Sequence, residues 1–490
     1  MRESKLTEHI FKKGKFITPF NKIMTTLLKE KSWSYGRVPE YLWLGLIING
    51  GERSEQMEKC LNLLKRLNEL DDDDNTLDLP KISSIFKMEK HNQVLFFTYM
   101  EEIQIMEHLK PLSVILSGQS QVFDYYLKGY SESIVERVQS LNSMLEILSS
   151  HQSNLSTDIR FLVIYNFSLS GKLIINSDSG FPSNLNDYPY LSHEDVEMRI
   201  LRPHIRAMEL AFVNLGEDED DLNFIENFWK KISLLTECEE FYVSNTEESL
   251  LNLNMYKKYI HDILEYYNEI FKNTRPLDTK MLTLLGIATY SYKRLLELID
   301  HNLEHTISGR TIVRSIIENY MMTKYLLMEE TNHNDIWNDF QYYGIGQYKL
   351  IYERYAENKP TIENSHVKFK YINLIVSEFT SKEFIDMDTN YFGKGNIKSK
   401  FDSVGEGDLW RYFYDYDSQF EHGLWGAIRE SSILKCNSPG HMYHGIPDVE
   451  NLQQLPSVAN DCVLIMNKHI NLLRKIYTLP DFLAREDYYD

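Results

Sequence analysis

"SGRTIVRSIIENYMMTKYLLMEE", residues 308 to 330, decides how the rest of this chain is read. Ile312, Ile316, Ile317, Met321 and Leu327 recur at the three- and four-residue spacing of a buried helix face, with no proline or glycine beyond Gly309. Arg310, Arg314 and Glu318 stand four apart and therefore share one stripe of that helix. Similar long periodic patterns cover 250 to 273, 278 to 304 and 333 to 357. Their succession predicts a mainly α protein whose C-terminal domain is a helical bundle.

The N-terminal half reads the same way. "TPFNKIMTTLLKEKSW" carries Phe20, Ile23, Leu27 and Leu28 at helical spacing. "RVPEYLWLGLIING" has Pro39 near a helix start and Gly50-Gly51 past its end. "SEQMEKCLNLLKRLNEL" follows, with Ser54 as the expected N-cap. "DIRFLVIYNFSLSGKLIINS", residues 158 to 177, fits either of two structures. Alternation of Phe161, Val163, Tyr165 and Phe167 before Gly171 fits a small β-hairpin, and the same run fits a buried helix. An acidic break at 216 to 223 and a polar one at 244 to 249 place a boundary between 240 and 250. The expected domains are a helical region over 1–245 and an all-helical one over 246–490.

Composition narrows the function classes. Four widely spaced cysteines show no disulfide framework, which suits a reducing cytoplasm. The opening "MRESKLTEHIFKKGKF" lacks a signal-peptide core, and the most apolar runs are too short to cross a bilayer. A cytoplasmic protein with no membrane partner is expected. A net charge of −20 argues against broad binding to a nucleic-acid backbone, although a local basic pocket can sit on an acidic body. The 32 tyrosines are expected to pack their rings and turn their hydroxyls to water.

Three constellations could carry chemistry. Arg310, Arg314 and Glu318 form either an interior ion pair that fixes packing or, through the two arginines, a clamp for phosphate or carboxylate. "LWRYFYDYDSQFEHGLWGAIRESS", 409 to 432, reads as a helix with Glu421-His422 beside its apolar stripe. Cys436, His441 and His444 then follow in a loop with glycine and proline. A thiolate and two imidazoles suit zinc, yet the spacing lacks the two close ligand pairs of a finger or ribbon. A turn anchored by hydrogen-bonded histidines and a Cys436 nucleophile served by a histidine base are the other readings. His422, Cys436, His441 and His444 are expected to converge on one pocket. Gly405-Glu406-Gly407 is a turn and not a phosphate loop, since no Lys-Ser/Thr follows it.

At "GRTIVRSIIENYMMTKYLL" and "YDYDSQFEHGLW" the chain resembles a widespread, poorly characterised bacterial family of all-helical domains similar to HEPN domains. The pattern is Arg-x3-Glu on one helix and, about a hundred residues later, Tyr-x3-Ser-x3-His. Here it falls on Arg314 and Glu318, then Tyr414, Ser418 and His422, within roughly 250 to 475. The resemblance implies an antiviral, abortive-infection type effector that cleaves RNA without a metal, an arginine steadying the phosphate and a histidine handling a proton. Arg314, Glu318 and His422 are the catalytic residues it implies, and RNA and a second copy of the chain its expected partners. The HEPN pattern places its arginine and histidine four to six residues apart on one helix. Here Arg411 precedes His422 by eleven, so Arg310 or Arg314 would have to come from the other helix. A non-catalytic helical sensor or scaffold, and a zinc-dependent hydrolase built on Cys436, His441 and His444, are the alternatives.

Overall fold

The computed structural model describes residues 5–19, 32–70, 77–128, 133–171, 185–213, 219–244, 251–358, 365–379, 385–393 and 395–483. The 18–33 pattern lies mostly outside these residues. Helices dominate, as the periodicity predicts. The chain forms two compact units: Met1–Phe241 with Lys435–Ile446, and Tyr242–Leu434 with Pro447–Asp490. A single cut at 245 therefore misses the return of Lys435–Ile446 to the first unit.

The first unit opens with an antiparallel hairpin, β1 (Ile10–Lys12) and β2 (Lys15–Ile17). Its centre is α1 (Val38–Ile48), which Pro39 starts as expected and which is buried on every face. An all-round apolar helix must be enclosed by others. Here α2 (Arg53–Glu69), α4 (Ile134–Ser149) and α5 (Asn154–Leu169) surround it, and α3 (Lys90–Glu102) packs on α2. Glu52, not Ser54, caps α2 by accepting from the Glu55 N–H at 3.1 Å. The ambiguous run at 158 is helix α5, not hairpin. Ser153 caps it, Gly171 follows its end at φ +73°, and nearly every side chain between is buried. Burial on all faces removes the polar stripe that would have marked the helix, leaving an alternation that mimics a strand. Residues 172–177 of that run lie outside the described residues.

Buried charges tie α5 to α6 (Met198–Val213). Glu209 is fully buried and takes Arg37 at 2.5 Å and Arg160 at 3.3 Å, and the Arg160 guanidinium lies 4.3 Å from the Trp33 ring centroid. Next in the chain come α7 (Glu219–Leu235) and β3 (Glu240–Phe241).

The second unit is a bundle. Successive helices α8 (Leu253–Thr274), α9 (Thr279–Asp300) and α10 (Ile307–Glu329) pack in turn, then α11 (Ile336–Asn358) follows. Asn252, Asp278 and Thr306 cap the first three through backbone N–H groups. The stretch 409–432 is not one helix: a wide turn at Trp410–Tyr414 leads into α12 (Asp415–Glu421), and α13 (Trp425–Ser431) follows a break. Gly423, at φ +55°, makes that break in a conformation that glycine adopts without steric cost. Strands β4 (Ile433–Cys436) and β5 (Gly445–Pro447) precede α14 (Ala459–Ile476), which packs on α9 and α10. Two core tyrosines do not turn to water: Tyr256 donates to Asn467 Oδ1 at 2.9 Å and Tyr267 to the Tyr477 carbonyl at 2.9 Å. Among the described residues no helix is long and apolar enough to cross a membrane.

Removing the carboxylate that two buried guanidiniums share leaves both charges uncompensated. Glu209→Ala is expected to lower unfolding stability by about 3–5 kcal/mol in urea melts, and a loss under about 1 kcal/mol would show that the arginines find other acceptors.

Candidate functional site

Helix α10 buries Ile312, Val313, Ile316, Ile317 and Tyr320 in the bundle and leaves Arg314 and Glu318 at its margin. Arg314 Nε donates to Ser418 Oγ at 3.0 Å and Nη2 to Tyr414 Oη at 2.7 Å. The guanidinium also lies 4.6 Å from the Tyr414 ring centroid. Ser418 in turn donates to the Tyr414 carbonyl at 2.5 Å, so its oxygen is oriented to accept from Arg314. Tyr414 donates its own O–H to Glu318 Oε2 at 3.1 Å, and Tyr391 donates to Oε1 at 2.8 Å. Burial pushes both phenols well above their usual range, and the Glu318 charge adds to it. A cleft of about 440 Å³ opens beside Glu318, walled by Tyr290, Asn319, Phe340, Tyr343 and Tyr391.

The expected salt bridge forms, but loosely and at the margin of the bundle, not in its interior. Arg314 and Glu318 stand 3.9 Å apart with side chains 21% and 26% exposed, and the short bonds run through hydroxyl groups. At that distance and exposure the direct ion pair contributes little. The buried guanidinium is Arg310, 2% exposed, whose Nη2 donates to the Pro456 carbonyl at 2.6 Å. Arg310 and Arg314 thus serve different acceptors and do not form one clamp.

His422 ends α12, its N–H bonded to the Ser418 carbonyl at 3.2 Å. It is exposed, and its ring makes no hydrogen bond among the described residues. One turn separates it from Ser418, about 6 Å along the axis.

Asp417 and Asp461 were not singled out from the sequence. Asp417 is 3% exposed and shares the charge field of Arg310 with Asp461 at the start of α14. Its spacing of three from Tyr414 places it on that residue's stripe, which is the signal the sequence offered. Burial lifts its carboxyl to about 7; Arg310 and Arg314 oppose the shift and Asp461 adds to it.

The Cys/His loop belongs to the first unit. Cys436, His441 and His444 do meet, but their fourth neighbour is Cys238, which follows α7 and was not considered; His422 belongs to the second unit. The donor atoms of the four lie within 4.8 Å of one another. Cys238 Sγ is 3.4 Å from His444 Nε2. β3 and β4 pair antiparallel with Glu240 opposite Cys436, which sets the two cysteines on neighbouring strand ends. Cys436 is fully buried and accepts the Ser438 N–H at 3.3 Å, so it is not placed as a nucleophile for an outside substrate. Gly440 sits against α7's end, where an added Cβ would stand 2.7 Å from Thr236 Oγ1. Met442 and Tyr443 then adopt φ +55° and +50°. Two successive non-glycine residues in that region cost of order 1–3 kcal/mol each. They turn the His444 ring to within 5.5 Å of that of His441.

For Asp417 the folded chain holds a proton between pH 3.8 and about 7 that the unfolded chain has released. Its contribution to stability is full below that window and is lost as pH rises through it. Asp417→Asn, neutral throughout, should gain on the parent protein as pH rises from about 5 to 8 in thermal melts. A gap in melting temperature that stays constant across that range would show that Asp417 titrates normally.

Residues 278–441 match the model of a family of unknown function (DUF5677), a span that holds Arg314, Glu318, Tyr414, Ser418 and His422. No curated protein and no solved structure matches the chain.

Proposed function

We propose that the second unit is an RNA-cleaving domain of the HEPN-like kind and that the protein acts as an effector in antiviral, abortive-infection type defence. The observation that carries this reading is the clasp of Arg314 by Tyr414 and Ser418, one turn before the exposed His422. A guanidinium matches the non-bridging oxygens of a phosphodiester. His422 would take the proton from a ribose 2′-hydroxyl as that oxygen attacks the adjoining phosphorus. The bond to the 5′-oxygen breaks, water protonates the leaving oxygen, and the products carry a 2′,3′-cyclic phosphate and a 5′-hydroxyl. Glu318 holds the two tyrosine hydroxyls and so positions Arg314. No metal takes part in these steps.

One observation favours the scaffold alternative. Two of the donor nitrogens of Arg314 are already occupied within the fold, which is how a purely structural arginine would look. The acidic body also means that any RNA affinity must be local and short in range.

Single-stranded RNA incubated with the purified protein should yield cyclic-phosphate ends, and His422→Ala should slow cleavage about 10²–10⁴-fold without moving the melting temperature. Expression of the parent chain should slow growth, and the same substitution should relieve it. A parent protein that leaves RNA intact and a His422→Ala variant with the same growth effect would sink the nuclease reading in favour of the scaffold.

A further inference from the structure

The Cys/His cluster has a feature that hydrogen-bonded turns do not require: each imidazole has one nitrogen committed to the backbone and one left over. His441 Nε2 lies 3.1 Å from the carbonyls of both Ser233 and Thr236 at the end of α7. Carbonyls only accept, so Nε2 carries the proton and Nδ1 keeps its lone pair. His444 is arranged in the opposite sense. Its Nδ1 faces the Gly445 carbonyl at 3.1 Å, which leaves Nε2 free beside Cys238 Sγ. Metal-binding histidines are held in this manner, the second nitrogen donating to a backbone carbonyl or carboxylate. The backbone N–H of Ser438 pointing at Cys436 Sγ suits a thiolate acceptor.

We propose that Cys238, Cys436, His441 and His444 bind one zinc ion in a structural site of the first unit. Two thiolates and two imidazoles are borderline-soft donors, and the cluster contains none of the carboxylates that would favour magnesium or calcium. Around tetrahedral zinc, sulfur and nitrogen ligands stand about 3.3–3.8 Å apart. The 3.4 Å from Cys238 to His444 already lies there, and the whole set lies within 4.8 Å. Binding releases the two thiol protons and changes no oxidation state. Four protein donors fill the tetrahedron and leave no position for water, so the site is structural and not that of a zinc hydrolase. What it holds is the segment Lys435–Ile446. This excursion of the chain rests on the end of α7 and on α4, where Gly440 N–H donates to Asn142 Oδ1 at 3.0 Å. Zinc also accounts for the left-handed turn at Met442 and Tyr443, which brings His444 back to the cluster. The proposal is independent of any RNA cleavage by the second unit.

The full-length chain, purified without metal-affinity resin from zinc-supplemented culture and dialysed against EDTA, should retain about one zinc per chain. Cys238→Ser and His444→Ala should each lower that content about tenfold or more, whereas His422→Ala should leave it unchanged. Less than about a tenth of a zinc per parent chain, before and after reconstitution, would overturn the proposal. So would a Cys238→Ser protein that keeps its zinc, or a Cys238–Cys436 disulfide found by mass spectrometry of the untreated chain. Should the variants fail to fold, cobalt added to the metal-stripped parent chain decides the matter. Intense tetrahedral bands with a thiolate charge-transfer band are expected; the weak spectrum of octahedral cobalt overturns the site.

Discussion

Burial of both apolar flanks of α10 constrains the second unit more than any other feature. A helix packed against α9 and α14 draws the partners of its polar stripe from within the bundle, although Nε and Nη1 of Arg310 are left without a hydrogen bond. Arg310, deepest of the three, reaches the Pro456 carbonyl near the start of α14. Arg314 and Glu318, nearer the margin, draw in Tyr414, Ser418 and Tyr391. The polar stripe therefore sets where α12 lies against α10, and with it where His422 emerges.

The chain of bonds from Ser418 through Arg314 and Tyr414 to Glu318 lets one arginine be fixed by neutral groups. A direct pair at 3.9 Å would hold its geometry loosely. Two hydroxyls at 3.0 and 2.7 Å fix the guanidinium plane while leaving its net charge available. Such an arrangement serves a domain that recognises an anion as readily as one that needs only rigidity. Burial lifts the Asp417 carboxyl to about 7 against the opposing pull of Arg310 and Arg314.

The first unit follows a different logic. Its central helix α1 has no exposed face, and its charged residues are paired inside: Arg37 and Arg160 on Glu209, Arg53 on Asp158. The Cys/His cluster sits at the end of α7, where the late segment Lys435–Ile446 joins the unit. Four convergent donor atoms offer a means of holding that segment that does not depend on buried area.

Local periodicity was enough to read the long helices of the second unit, from α8 to α11, most plainly in α8 and α9, where buried and exposed residues recur at the helical period. It was enough also for α1, where Pro39 and Gly50-Gly51 mark the ends. It failed at α5, since a helix buried on all sides shows no contrast between its faces, and at 409–432, where a left-handed Gly423 breaks a pattern that still looks continuous. Spacing put Arg314 and Glu318 on one stripe, and the family resemblance pointed to Tyr414, Ser418 and His422; neither showed that hydroxyls would carry the bonds between them. Spacing also identified Cys436, His441 and His444 as neighbours. Cys238 was out of reach of any such reading: it stands 198 residues before Cys436, and only the pairing of β3 with β4 brings the two thiols together. Sequence determines what is near along the chain; the pairing of strands far apart in it is decided by the tertiary structure alone.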